Sequence, residues 1–133
     1  MKIIDKNVLI TGGASGIGKI MGKIALDKGA KSLIIWDVNQ ASLDATALEF
    51  NSRERVHTYK VDITNSDLVA TTYQRVKDEC GNVDILINCA GIVRGNNTFD
   101  QQTIQDIRLT FEVNTIAPMV ITQLILPDML QRN

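Results

Sequence analysis

The stretch Asn7 to Gly18, NVLITGGASGIG, constrains this chain more than any other part of it. Three apolar residues, Val8, Leu9 and Ile10, run straight into a glycine-rich turn, and the turn opens an amphipathic stretch of helical period. Gly12, Gly16 and Gly18 stand at T-G-x-x-x-G-x-G spacing, with Gly13 as a further permissive position. Glycine reaches positive φ at little cost and lets another group approach the main chain closely. The helix that follows directs its unpaired N–H groups and positive dipole end at the turn, which suits a pyrophosphate. Glycine runs also occur in ordinary loops. A strand before and a helix after are the context of a dinucleotide-binding fingerprint.

The rest of the chain repeats the strand and helix alternation. The first helix carries Ile17, Ile20, Met21, Ile24 and Ala25 on one stripe, and Gly29 is placed to stop it in a left-handed conformation. Leu33 to Trp36 is a continuous apolar run, as in a strand buried on both faces. Asn39 can cap a second helix, in which Leu43, Ala47 and Phe50 share a face. Val56 to Val61 reads as the third strand, Asn65 or Ser66 starts a third helix ending near Glu79, and Val83 to Ile87 reads as the fourth strand. A long helix follows over about Thr103 to Leu130, bent midway. This pattern predicts an α/β fold of the Rossmann type: a doubly wound parallel sheet in three αβα layers, stopping after the fourth strand and its long helix. Residues 1–133 then form a single dinucleotide-binding domain, incomplete at its carboxyl end.

At 133 residues and 44% apolar, the chain can bury one real core. A net charge of -1 with both signs interspersed gives no footprint for nucleic acid. The apolar runs read as too short to span a bilayer, and no leader pattern precedes the first strand. Cys80 and Cys89 fit neither a metal site nor a disulfide framework, so they are expected as reduced thiols in a cytoplasmic protein without a metal. His57 reads as a strand-face residue, and Arg53, Glu54 and Arg55 as a solvated connection.

Asp37 ends the second strand. A carboxylate there can accept hydrogen bonds from an adenosine ribose and repel a 2′-phosphate, which favours NAD over NADP. The plainer alternative is that Asp37 only terminates the strand. Asn114 sits inside an apolar helical run, where a buried amide needs partners. Pro118, four residues later, has no N–H to give the Asn114 carbonyl, so a bent helix with a free carbonyl that binds water is expected. The alternative is a proline bend beside an incidental asparagine.

Taken together, these residues resemble the short-chain dehydrogenase/reductase family. Thr11 to Gly18 is similar to its cofactor motif, and Asn88-Cys89-Ala90-Gly91 to its N-N-A-G motif, with Cys89 in place of the second asparagine. Asp62 and Asn114 complete the set in the family's order, and Trp36-Asp37, His57 to Thr64 and Thr110 to Thr115 look most like the hydroxysteroid and retinol dehydrogenase branch. The resemblance implies cofactor contacts at Thr11, Gly12, Ala14, Ser15, Gly16, Ile17, Gly18 and Asp37. It implies the adenine at Asp62 and Ile63, and the nicotinamide ribose above Asn88, Ala90 and Gly91. Asn114 would hold a catalytic water. Cys89 is expected to be small and buried.

The implied activity is NAD-dependent hydride transfer on an alcohol or carbonyl, with a steroid or retinoid-like lipid as a candidate substrate. It also implies a homodimer through the long helix. The family's serine and Y-x-x-x-K pair belong after a fifth strand. The one literal match, Tyr73 to Lys77, precedes the fourth strand and reads as a decoy on the flank of a packing face shared by Leu68, Thr72 and Val76. The 133-residue chain alone is therefore expected to be inactive and to bind cofactor weakly. The competing reading is a noncatalytic dinucleotide-binding or assembly module.

Overall fold

In a computed structural model describing residues 2–51, 54–95 and 97–132, four strands form one parallel sheet. The elements alternate along the chain as β1 (Asn7–Thr11), α1 (Gly16–Asp27), β2 (Ser32–Asp37), α2 (Gln40–Phe50), β3 (Val56–Lys60), α3 (Ser66–Cys80) and β4 (Ile85–Asn88). After a short 3-10 turn at Phe99–Gln101 come α4 (Ile104–Phe111), a π turn at Glu112–Ile116, and α5 (Ala117–Leu130). The strand order is β3-β2-β1-β4, with β1 paired to both β2 and β4. The sheet order therefore reverses at β1, and ligands of such folds bind outside the carboxyl ends of the strands at that point.

Alternation along the two central strands divides the core into two layers. Val8, Ile10, Leu33 and Ile35 face one side with Ala25, Leu26, Leu43 and Phe50 of α1 and α2. Leu9, Ile34 and Trp36 face the other with Val69, Tyr73 and Val76 of α3 and Ile121 and Ile125 of α5. Burial on both sides is why these strands are apolar without a break, each full side chain contributing about 1.5–3 kcal/mol. Asn39 and Asn65 cap α2 and α3 by accepting the N–H groups of Ser42 and Leu68 at 3.0 Å each. Gly29 stops α1 at φ 82°.

Several local expectations are corrected. The isoleucine stripe of α1 faces outward, with Ile17 72% and Ile20 60% exposed, and Gly18, Gly22, Ala25 and Leu26 form the buried face instead. A Cβ on Gly22 would lie 3.1 Å from Leu33 Cδ2, so α1 sits too close to the sheet for a large side chain. In α2, Thr46 joins Leu43 and Phe50 in the core, while Ala47 is only half-buried. In α3 the packing face is Val69, Thr72, Tyr73, Val76 and Cys80, with Leu68 exposed. β3 ends at Lys60, so Val61 is buried just beyond it. β4 begins only at Ile85, because Asp84 is occupied with Asn7: its N–H donates to the Asn7 carbonyl and its carboxylate accepts the Asn7 N–H, both at 2.9 Å.

Arg53 lies outside the described residues; of its neighbours, Glu54 is exposed and Arg55 donates to the Ala30 carbonyl at 3.2 Å. His57 is a half-buried residue of β3, facing Ile34 across the ladder. The cysteines Cys80 and Cys89 are both free. The helical stretch Ile104–Leu130, 27 residues, is long and apolar enough to cross a membrane by length and composition. That departs from the expectation of runs too short to do so. It is broken by the π turn, and its Ala117, Ile121 and Ile125 belong to the core beneath the sheet.

Candidate functional site: a cleft at the strand ends

The carboxyl ends of the four strands open on one cleft of about 620 Å3. Strand order lays its wall out in sequence: Val61 to Thr64 after β3, Trp36 to Val38 at β2, the glycine turn after β1, and Cys89 to Ile92 with Arg94 after β4. At the spacing of neighbouring strands, this wall runs roughly 14 Å from the β3 end to the β4 end.

Close backbone packing shapes the turn. Gly12 holds φ 66°, and a Cβ there would stand 2.7 Å from Ala90 Cα, so the turn after β1 and the loop after β4 touch main chain to main chain. A Cβ on Gly18 would collide with the Gly12 carbonyl. Gly16 differs: at φ 51° it has nothing within 4 Å where a Cβ would go. Ser15, the residue before α1, is extended and makes no side-chain cap, and the first turn of α1 carries no acidic residue. The N–H groups of Gly16, Ile17 and Gly18 at the start of α1 therefore border the cleft without a side-chain acceptor from the capping position. That geometry fits a diphosphate.

Around this turn the expected residues divide into those that line the cleft and those behind it. Gly12, Ser15, Gly16, Ile17, Gly18, Asp37, Asp62, Ile63, Ala90 and Gly91 line it. Thr11 and Ala14 stand behind. Thr11 Oγ accepts the N–H groups of Cys89 and Ala90 at 3.2 Å each, tying β1 to the β4 loop, and the Ala14 N–H donates to Asp37 Oδ2 at 3.2 Å. Asp37 Oδ1 accepts the Asn39 N–H at 3.1 Å, so this carboxylate couples the glycine turn to the start of α2. Asp62 Oδ1 accepts from the N–H and hydroxyl of Thr64 at 3.0 and 2.7 Å. Asn88 is not part of the lining; its side-chain amide donates to Thr122 Oγ at 3.1 Å. Cys89 is half-buried and lines the cleft, whereas a buried residue was expected.

Asn114 sits within the π turn, where the missing N–H of Pro118 disturbs the regular helical ladder. It is exposed, not buried, and its amide is committed to one partner: Oδ1 accepts the Ile92 N–H and Nδ2 donates to the Ile92 carbonyl, both at 2.8 Å. This two-way bond fastens the loop after β4 to the long helix. Replacing Asn114 with alanine is expected to speed hydrogen exchange at the Ile92 amide by at least about tenfold while leaving sheet amides unchanged, as measured by NMR.

Sequence reasoning missed Trp36, Val38, Val61, Thr64, Cys89, Ile92, Arg94, Leu109 and Val113 as lining residues. Ile92 and Arg94 directly follow the Asn88–Gly91 run, a usable signal; Leu109 and Val113 reach the cleft only because the long helix crosses there.

Tyr73 takes no part in the cleft. It is 2% exposed, and its hydroxyl donates to Asp128 Oδ2 at 2.8 Å. Burial, then the Asp128 carboxylate, push its pKa well above the usual 10, the wrong direction for a proton-transfer group. In return the Tyr73 hydroxyl, followed by Lys77 and Arg132, holds the Asp128 carboxyl below its usual 3.8. A carboxylate depressed by folding stabilises above its unfolded pKa, and the gain is lost as pH falls through the folded value. Tyr73→Phe is therefore expected to cost stability at about pH 7, and that deficit should shrink by about pH 3 in urea denaturation.

Parallel strands, a reversal at β1, and a glycine turn leading into a helix define an α/β fold of the Rossmann type. The sequence matches the profile described as "short chain dehydrogenase" over residues 6–133, and the chain belongs to that family. It is 38% identical over 127 residues to "Estradiol 17-beta-dehydrogenase 11" of Homo sapiens, covering 95% of this chain and 42% of the relative. To "17-beta-hydroxysteroid dehydrogenase 13" of Homo sapiens it is 35% identical, with the same shares covered. Among solved structures, a short-chain dehydrogenase/reductase, "Glucose/ribitol dehydrogenase from Brucella melitensis", superposes with TM-score 0.87 at 26% identity, over 96% of this chain and 53% of that one. The chain thus spans about two fifths of the curated relatives' length and about half of that structure.

Proposed function

We propose that this chain supplies the nucleotide-binding part of an NAD-dependent oxidoreductase acting on an alcohol or carbonyl group of a steroid or retinoid-like lipid. The observation that carries the reading is the start of α1, where open space at Gly16 meets N–H groups without a capping side chain. Asp37 supports NAD over NADP: its carboxylate is fixed at the end of β2 by two N–H groups, where it repels a further phosphate. Asp62 and Ile63 border the same end for the adenine. Gly91 and Ala90 leave room at the β4 end for the nicotinamide ribose, and Asn114 steadies their loop through Ile92. Bound NAD supplies the hydride acceptor; the residues of this chain orient it. The relatives named for estradiol and hydroxysteroid dehydrogenation support the lipid class. A homodimer belongs to the same proposal, because Phe111, Ile116, Met119, Leu126 and Leu130 leave an apolar surface along the long helix.

Trp36, the only tryptophan, provides the test. It stands at the cleft wall with its side chain fully buried in the core, and its indole Nε1 has no hydrogen-bond partner among the described residues. Reduced nicotinamide absorbs where indole emits. In the full-length protein, NADH is expected to quench saturably the part of the indole emission that Trp36→Phe removes, and NADPH to do so more weakly. Unchanged emission under NADH, together with no calorimetric binding, would overturn the proposal.

A further inference from the structure

The loop after β4 carries a charge for which the nucleotide reading has no use. Arg94 borders the cleft and also a smaller hollow of about 210 Å3 beside it. The hollow has a largely apolar wall, in which Val93, Phe99, Ile107 and Phe111 take part. Arg94 is the only cation bordering either space among the described residues, and its side chain makes no ion pair or hydrogen bond there. The carboxylates of the cleft, Asp37 and Asp62, stand at the far side, two and three strand positions away. Charge is thus separated along the cleft, negative at the adenosine end and positive at the end left for the reacting group.

The loop holds Arg94 from both sides. Ile92 is clasped by Asn114, and Gly95, at φ 60°, accepts a hydrogen bond from Gln102 Nε2 at 3.3 Å through its carbonyl. Asp106, the carboxylate bordering Gly95, is engaged by the Thr103 hydroxyl at 2.6 Å. A guanidinium presented this way, with an apolar hollow next to it, matches a molecule with an apolar body and one anionic group. Its planar fork meets a carboxylate or sulfate through charge-assisted hydrogen bonds.

We infer that Arg94 determines substrate specificity: it receives a carboxylate or sulfate on an otherwise apolar alcohol or carbonyl substrate, whose body lies in the hollow between Ile92 and Phe111. The inference rests on the dinucleotide reading for the direction of the cleft. The same guanidinium chemistry could meet a phosphate of the cofactor, and the test separates the two sources.

The full-length protein is titrated calorimetrically, without cofactor, with octanoate and with methyl octanoate, and separately with NADH. Octanoate is expected to bind about tenfold tighter than its ester, the size of one partly exposed charge-assisted hydrogen bond. Arg94→Gln should erase that preference, Arg94→Lys should keep most of it, and any fall in NADH affinity in Arg94→Gln should be well below the roughly tenfold fall in octanoate affinity. Equal binding of the two probes by the unaltered protein overturns the inference. So does a preference that survives Arg94→Gln. A loss of NADH affinity in Arg94→Gln in step with octanoate assigns the guanidinium to the cofactor diphosphate and overturns it as well. An octanoate preference that depends on Arg94 in a protein that fails to bind NADH supports the anion site and refutes the dinucleotide reading alone.

Discussion

Gly12→Ala is expected to lower the melting temperature by about 10 °C, from roughly 3 kcal/mol of lost stability. Two costs combine. A Cβ at φ 66° is strained by about 1–2 kcal/mol, and this one would stand 2.7 Å from Ala90 Cα, where only main chain can yield. Gly16→Ala makes the sharper contrast. Its φ of 51° carries the same strain, yet nothing lies within 4 Å of the new methyl. It should cost only about 1 kcal/mol of stability while weakening NADH binding about tenfold or more, because the methyl would take the space in which the proposed diphosphate lies. Thermal melting and NADH titration of the two variants separate a glycine needed by the fold from one needed by the ligand. Equal melting shifts, with equal NADH affinity, would contradict that division.

Removing the charge at Asp37 should change the NAD to NADP preference, measured as the ratio of kcat/KM values in the full-length protein, by about 100-fold. Two like charges about 4 Å apart interact by about 4 kcal/mol at the effective dielectric of a protein surface, and partial exposure reduces this. Asp37→Asn is the informative variant. It keeps one of the two acceptor oxygens that receive the Ala14 and Asn39 N–H groups, so the preference should move while one of these two hydrogen bonds is retained. Asp37→Ala should move the preference as far and lose about 1–2 kcal/mol besides, because both N–H groups are left without their acceptor. A preference unmoved in Asp37→Asn would reduce the carboxylate to a brace between the turn and α2.

Much of the cleft could be read from local pattern because its parts are backbone features. Glycines that must adopt positive φ or admit close approach can be replaced by almost nothing else, and a capping asparagine acts within three residues of itself. Gly12, Gly16, Gly29, Asn39 and Asn65 were accordingly legible one by one. The isoleucines of α1 misled for a related reason. Period reports which residues share a face, but the distance to the sheet decides which face is buried, and contact with Leu33 reserves that face for Gly22 and Ala25.

By itself the sequence determined the order of strands and helices along the chain, the parallel doubly wound class, and the glycine turn between β1 and α1. Each follows from residues near one another along the chain. Only the tertiary structure decided which residues meet across it: Thr11 with the Cys89 and Ala90 amides, Asp37 with Ala14, Asn114 with Ile92, and Tyr73 with Asp128 instead of with the cleft. It also set Arg94 beside an apolar hollow at the opposite end from both carboxylates. Hydrogen bonds and charges act over a few ångströms of space, and the order of strands in the sheet, not separation along the chain, brings their partners within that range.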